Sequence, residues 1–340
     1  MSRESGYSSV TVLILILFLS TVTLGVISLL RLSISLTEKT ENKYLIEEQL
    51  EEEVRSLISV LAEDPTPEAD SIFDPVWSFL QNRDDSEIEL SLEDISSRFN
   101  LNYIRTNMLE KSQFKSLMES GFNPEDLKLY RGENGFYSDL KNGYGQYFSE
   151  DVLEKYFTAY SYANFNITYE DSLKKIYEFK VSEEGSSTFL QKVQDHISRK
   201  NIADKGKLKE IFGADFPELY PLVNTEPLLN VNLTPEKILD AVLHYPYGGE
   251  THKNGSSFYE IIIAERKTFE FDPERLETLL GDLEDDYLRI SQYLGTRTWF
   301  WKIIAVKNDK KLEVIICLLP ESDDKQERTY TIIRWKGHND

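Results

Sequence analysis

One stretch of this chain is poorly suited to water. From Tyr7 to Leu30 there is no charged residue, and the centre, Val10-Thr-Val-Leu-Ile-Leu-Ile-Leu-Phe-Leu19, is dense in aliphatic side chains. About 20 such residues, each rising about 1.5 Å in a helix, cross the roughly 30 Å of hydrocarbon in a bilayer. In that medium a lone segment satisfies its own N–H and C=O groups only as a helix. The sequence therefore predicts one membrane helix over Val10 to Leu30. A secretory signal peptide fits poorly. Glu4 offsets Arg3, the apolar run is too long, and no small-x-small cleavage site follows it. The helical pattern then continues. Leu50, Val54, Leu57, Ile58 and Leu61 share one face, while Glu47, Glu48, Glu51, Glu52 and Glu53 take the other. Asp64-Pro-Thr-Pro ends it. The expected element is a rod whose distal half packs on a globular body.

That body is acidic. Among 340 residues, 59 Asp and Glu face 38 Lys and Arg, a net charge of −21, which repels phosphate backbones and argues against a nucleic-acid partner. Aromatics at 12% provide for a substantial core. The one cysteine, Cys317, permits no internal disulfide and sits among Ile and Leu as a small core residue. Glu87-Ile-Glu-Leu-Ser-Leu alternates polar and apolar, the period of a half-buried strand. Near the end, Trp299 to Val306, Leu312 to Leu319 and Tyr330 to Trp335 read as an antiparallel meander turning at Asn308-Asp309 and at Glu321 to Lys325. Tyr103 to Ile290 is helical in character, with helices expected over Asn107–Met118, Leu153–Phe157, Ser187–Ile197 and Lys205–Phe212. Another follows Thr234-Pro235, with Thr234 as its N-cap, and Asp272 caps one more. No long internal repeat stands out.

The predicted architecture is α+β: a pilin-like long N-terminal helix on a small antiparallel sheet, with a large helical insert. Its boundaries are 1–6 for a leader, 7–63 for the transmembrane and amphipathic helix, 64–102 with 291–340 for the sheet, and 103–290 for the insert.

Several motifs carry a resemblance. Ser5-Gly6-Tyr7 steps from a short polar leader into the apolar helix. Arg98-Phe-Asn100-Leu-Asn102 follows the first strand. Leu229-Asn230-Val-Asn232 precedes a helix, and a segment with Arg266 and Phe269 comes next. Thr296-Arg-Thr-Trp-Phe300 opens the closing strands. In this order they resemble the general secretion pathway protein K family, the minor pseudopilins of type II secretion. Ser97 stands where that family usually has Gly, Leu233-Thr234 where it has Thr-Ala, and Thr298 where it has Ser.

The resemblance implies cleavage after Gly6 by a prepilin peptidase and methylation of Tyr7. Most pilins carry Glu five residues into the mature chain; here that position is Thr11, and protein K characteristically lacks the Glu. The implied role is a non-enzymatic one at the tip of a periplasmic pseudopilus supporting export. The chain would be a single-pass inner-membrane protein with a cytoplasmic N-terminus. Its partners would be other minor pseudopilins, the inner membrane and exported substrate. Arg98, Asn100, Asn102, Asn230, Asn232 and Arg266 would be structural. Calcium binding among protein K homologues makes Ca²⁺ a candidate ligand, for which Asp282, Glu284, Asp285 and Asp286 offer oxygen donors, as do Glu321, Asp323 and Asp324. Rival readings are a type IV pilus minor pilin and a membrane-anchored extracytoplasmic binding module, using the Tyr-rich Tyr144–Tyr162 stretch for carbohydrate. An anchored hydrolase is disfavoured because the sequence shows no nucleophile elbow and no metal-ligand spacing among His196, His244, His252 and His338.

Overall fold

One helix, α1 (Glu4–Ala62), runs unbroken for 59 residues. It is the one helix among the described residues long and apolar enough to cross a membrane. Its polar residues suit an apolar medium. Thr21, Thr23 and Ser28 donate to the carbonyls of Leu17 (3.1 Å), Leu19 (2.7 Å) and Leu24 (2.9 Å), so their hydroxyls are already satisfied. The computed structural model describes residues 4–83, 86–104, 106–117, 140–198, 202–245, 255–281, 290–318 and 330–339.

The distal half of α1 behaves differently. Leu50, Val54, Leu57 and Leu61 are buried against Trp301, Ile303, Ala305, Leu312, Val314 and Ile316. Each such side chain contributes about 1.5–3 kcal/mol when taken from water. The surface beneath is a four-stranded antiparallel sheet. Its strands, numbered in chain order, are β1 (Glu89–Asp94), β8 (Phe300–Lys307), β9 (Lys310–Leu318) and β10 (Tyr330–Asn339), in the order β1-β8-β9-β10. The predicted three-stranded meander is therefore extended by β1, which pairs from Glu89↔Val306 to Asp94↔Trp301. Strands β8 and β9 meet at the expected two-residue turn, where Asn308 takes a φ of 56°, a region Asn tolerates better than most residues. A short helix, α2 (Pro75–Gln81), lays Trp77 edge-on to Trp301.

Between β1 and β8 the chain forms three successive modules, a repetition the sequence reading missed. Each opens on a two-residue strand ending in Asn and closes on another that pairs with it in parallel. These are β2 (Phe99–Asn100) with β3 (Phe157–Thr158), β4 (Ala163–Asn164) with β5 (Val223–Asn224), and β6 (Leu229–Asn230) with β7 (Leu294–Gly295). Helices fill the intervals. The first module has α3 (Thr106–Lys111), a 3₁₀ turn Gln113–Leu117, a short Leu140–Tyr144 helix and α4 (Glu150–Tyr156). The second has α5 (Glu170–Lys180), α6 (Glu183–Ser198), α7 (Lys205–Phe212) and a short Phe216–Leu219 helix, and the third has α8 (Glu236–His244), α9 (Gly255–Glu265) and α10 (Pro273–Gly281).

The opening turn is the same each time. Asn100, Asn164 and Asn230 accept, through Oδ1, the N–H two residues on (2.9 Å in each case). Their carbonyls take the N–H groups three and four residues on. The second Asn then reaches across its module. Asn166 bonds both backbone groups of Ala203, and Asn232 both of Phe271. The next residue, Asp204 or Asp272, caps a helix by accepting from Lys207 N or Arg275 N at 2.7 Å. Thr234 does not cap α8 as expected. Its hydroxyl donates to Asn230 O at 2.6 Å, and the helix starts at Glu236 after Pro235.

The first and third modules share a core in which Phe114, Phe148 and Phe157 join Val242, Phe271 and Leu294. The second keeps its own around Phe165, Phe189 and Phe212. Tyr162, Trp299, Phe300 and Cys317 pack where the modules meet the sheet, and the Tyr162 hydroxyl donates to Leu318 O at 2.6 Å.

Candidate functional site

The motif residues converge on the joint between sheet and modules. Asp94, at the end of β1, is half-buried and accepts from Ser96, Ser97 and Thr298. Burial raises its pKa despite these bonds. Ser97 has a specific part here. Its hydroxyl donates to Asp94 and accepts the Asn230 N–H at 2.9 Å. Asn230 Nδ2 donates to Asp70 O (2.9 Å) and Thr298 Oγ1 (3.0 Å), and the Thr298 N–H donates to Asp70 Oδ2 at 2.6 Å. Loops near 70, 94, 230 and 298 are thereby tied into one buried network.

The other motif residues brace the same region. Arg98 pairs with Glu93. Asn100 Nδ2 donates to Ser161 Oγ, and Asn102 Oδ1 accepts from the Tyr144 hydroxyl at 2.8 Å. Arg266 Nη1 donates to Thr234 O at 2.6 Å, clamping the turn before α8, and burial lowers its pKa. Gly295 in β7 lies against Pro227, where an added Cβ would come within 2.7 Å of Cγ.

Asp70 also belongs to an acidic group. Carboxylate oxygens of Asp64, Asp70 and Asp74 lie within 4.8 Å of one another, and Asp70 and Asp74 are buried. Burial, and then the charges of Asp70, Asp64 and Glu270, push Asp74 up to about 7, against a lowering hydrogen bond from the Ser71 N–H. Glu270 Oε1 is buried without a hydrogen-bond partner. An all-oxygen set with mutual repulsion suits a hard divalent cation such as Ca²⁺, which would relieve that repulsion. These residues fit such an ion. The sequence reading placed calcium donors elsewhere, at Asp282, Glu284, Asp285 and Asp286 and at Glu321, Asp323 and Asp324; those positions lie outside the described residues. The signal it passed over was Asp64, Asp70 and Asp74 spaced through one Pro-rich loop.

A second grouping was also missed. His244, at the end of α8, has Nδ1 3.0 Å from Asp240 Oδ1 and 2.9 Å from Asp240 O, and Nε2 2.9 Å from Ser256 Oγ. In the tautomer with its proton on Nδ1, facing both Asp240 oxygens, Nε2 accepts from Ser256, in the first turn of α9. His252 lies outside the described residues.

At the other end of the molecule, Gly6 and Tyr7 lie within the first turns of α1, and Thr11 is exposed on it. No protein-family model matches the chain, and a search of curated proteins finds no match.

Proposed function

We propose that the chain is a minor pseudopilin like general secretion pathway protein K, anchored in an inner membrane with its body in the periplasm. One observation carries the reading. A single helix is lipid-compatible in its first half and, without a break, becomes the core-forming helix of an antiparallel sheet. A subunit of this shape exchanges bilayer for the apolar flanks of neighbouring helices when it enters a filament. Thr11 offers no carboxylate to a subunit stacked above it, and the three modules add bulk that obstructs further stacking. Both features suit a tip position beside other minor pseudopilins. Calcium at Asp64, Asp70 and Asp74 would brace the loop that follows the rod.

The test is the intact mass and N-terminal residue of the protein taken from native membranes. A chain beginning at methylated Tyr7 is expected. A chain still beginning at Met1 or Ser2, in a host with active prepilin peptidase, overturns the reading and leaves the anchored binding module.

The Asp240–His244–Ser256 relay favours a second reading, an anchored hydrolase in which Ser256 attacks an ester carbonyl, His244 takes its proton and passes it to the alcohol that departs as the ester C–O bond breaks, and water then frees the acyl group from Ser256. In the assembly reading the same bonds only fasten α8 to α9. A fluorophosphonate probe separates the two, since covalent labelling of Ser256, lost in His244→Gln, belongs to the hydrolase alone.

A further inference from the structure

The Tyr-rich stretch Tyr144–Tyr162 is not an open aromatic surface, because Tyr144, Phe148, Tyr156, Phe157 and Tyr162 are buried. Its helix α4 nevertheless forms one wall of a cleft of about 550 Å³. The other walls are α2, the end of β1 and the turn before α8. That volume falls within the roughly 300–1,000 Å³ of small-molecule sites. Every residue lining the cleft is among the described ones.

Two kinds of surface meet there. Trp77, Leu92, Leu233 and Pro235 make an apolar wall. The Trp77 Nε1–H already donates to Ser71 O at 2.6 Å, so what its half-buried ring offers the cleft is apolar carbon. The polar wall carries both signs. Asp151 and Glu154 are exposed on α4, and their side chains form no hydrogen bond or ion pair among the described residues. Lys155, between α4 and the Tyr156 ring, lies 5.5 Å from that ring's centroid, and Arg98 pairs with Glu93.

This mixture selects a class of ligand. Asp94, Asp151 and Glu154 repel an anion, while Arg98 and Lys155 repel a cation. A neutral molecule rich in hydroxyls escapes both, since a hydroxyl donates to a carboxylate or accepts from a guanidinium or ammonium. A flat apolar face on the same molecule suits an indole ring. A sugar ring has both, hydroxyls around its rim and C–H groups on its face.

We propose that this cleft binds a short neutral oligosaccharide. One ring stacks on Trp77, hydroxyls donate to Asp151 and Glu154, and others accept from Lys155 and Arg98. The proposal does not depend on the pseudopilin reading, and its failure leaves the N-terminal test of that reading untouched.

The test is calorimetric titration of the full chain in a polyoxyethylene detergent, which has no sugar headgroup to compete. The probes are maltotriose, cellotriose and triacetylchitotriose. At least one should bind with a dissociation constant below about 1 mM. A neutral ligand is not screened, so raising salt should change that constant less than about twofold. Trp77→Ala should weaken binding about tenfold by removing the platform. Because Trp77 also packs on Trp301, a second variant keeps the test independent of folding. Asp151→Asn with Glu154→Gln alters only exposed, unpaired carboxylates, and should weaken binding about tenfold with circular dichroism unchanged. Absence of binding by all three probes at about 10 mM overturns the proposal. So does binding that is indifferent to Asp151→Asn with Glu154→Gln, which would put the sugar elsewhere on the molecule.

Discussion

At the scale of single residues, Asp74 couples stability to pH. Its carboxyl ionises near 3.8 when unperturbed and at about 7 in the fold, chiefly because it is buried. Between those values the folded state holds more protons than the unfolded one. Stability is therefore fully present below about pH 4 and is lost as pH rises through about 7, by on the order of 2–4 kcal/mol. Asp94 shifts in the same sense. In chelator-treated buffer, the urea midpoint of the wild type should fall between pH 4 and pH 8, more steeply than that of Asp74→Asn. Calcium added at pH 8 should restore the wild-type midpoint and leave Asp74→Asn nearly unmoved. Ser97 gives a second check. Ser97→Ala strips a buried donor from Asp94 and an acceptor from the Asn230 N–H, and should cost about 1–3 kcal/mol in urea unfolding. A loss below about 0.3 kcal/mol would mean that neither bond is needed at the joint.

At the scale of elements, the modules make unequal neighbours. Asn166 and Asn232 hold equivalent places, each bonding both backbone groups of a residue that precedes a capped helix. Replacing either with Ala should cost about 2–4 kcal/mol, since two buried backbone groups lose their partner. The consequences should spread differently. Asn166→Ala should speed amide exchange in the second module alone, which has its own core; Asn232→Ala should speed it in the first and third together, which share one. This layer of the fold was the least legible in the sequence. Helix α1 and strands β8 to β10 announce themselves by long runs of period 3.6 or 2. A two-residue strand has no period to detect, and Asn-x-Asn reads as an ordinary turn. The repetition was nonetheless present, as Asn-x-Asn at 100, 164 and 230, about 65 residues apart. The acid cluster was hidden for another reason. Carboxylates in a Pro-rich loop look solvated, and only the folded loop buries them.

At the scale of the whole molecule, the rod divides into two regions with different solvents. The core against the sheet starts near Leu50, so the residues before about 38 contribute nothing to it. A chain beginning at Lys39 should remain in solution without detergent, and should keep its circular dichroism and its thermal midpoint within about 2 °C of the full chain. A larger drop would show that the apolar half also supports the body. The sheet has its own history. Strand β1 pairs with β8 although the three modules lie between them in sequence, and closing so long a loop in a disordered chain carries an entropic cost. The Ser97–Asn230 and Trp299–Pro227 bonds tie both ends of that loop to the modules in the folded state. An order of assembly in which the modules form first, as the jig on which β1 receives β8, would lower that cost. Until almost all of the chain has been made, β1 and the apolar face of the distal half of α1 therefore lack the strands they pack against.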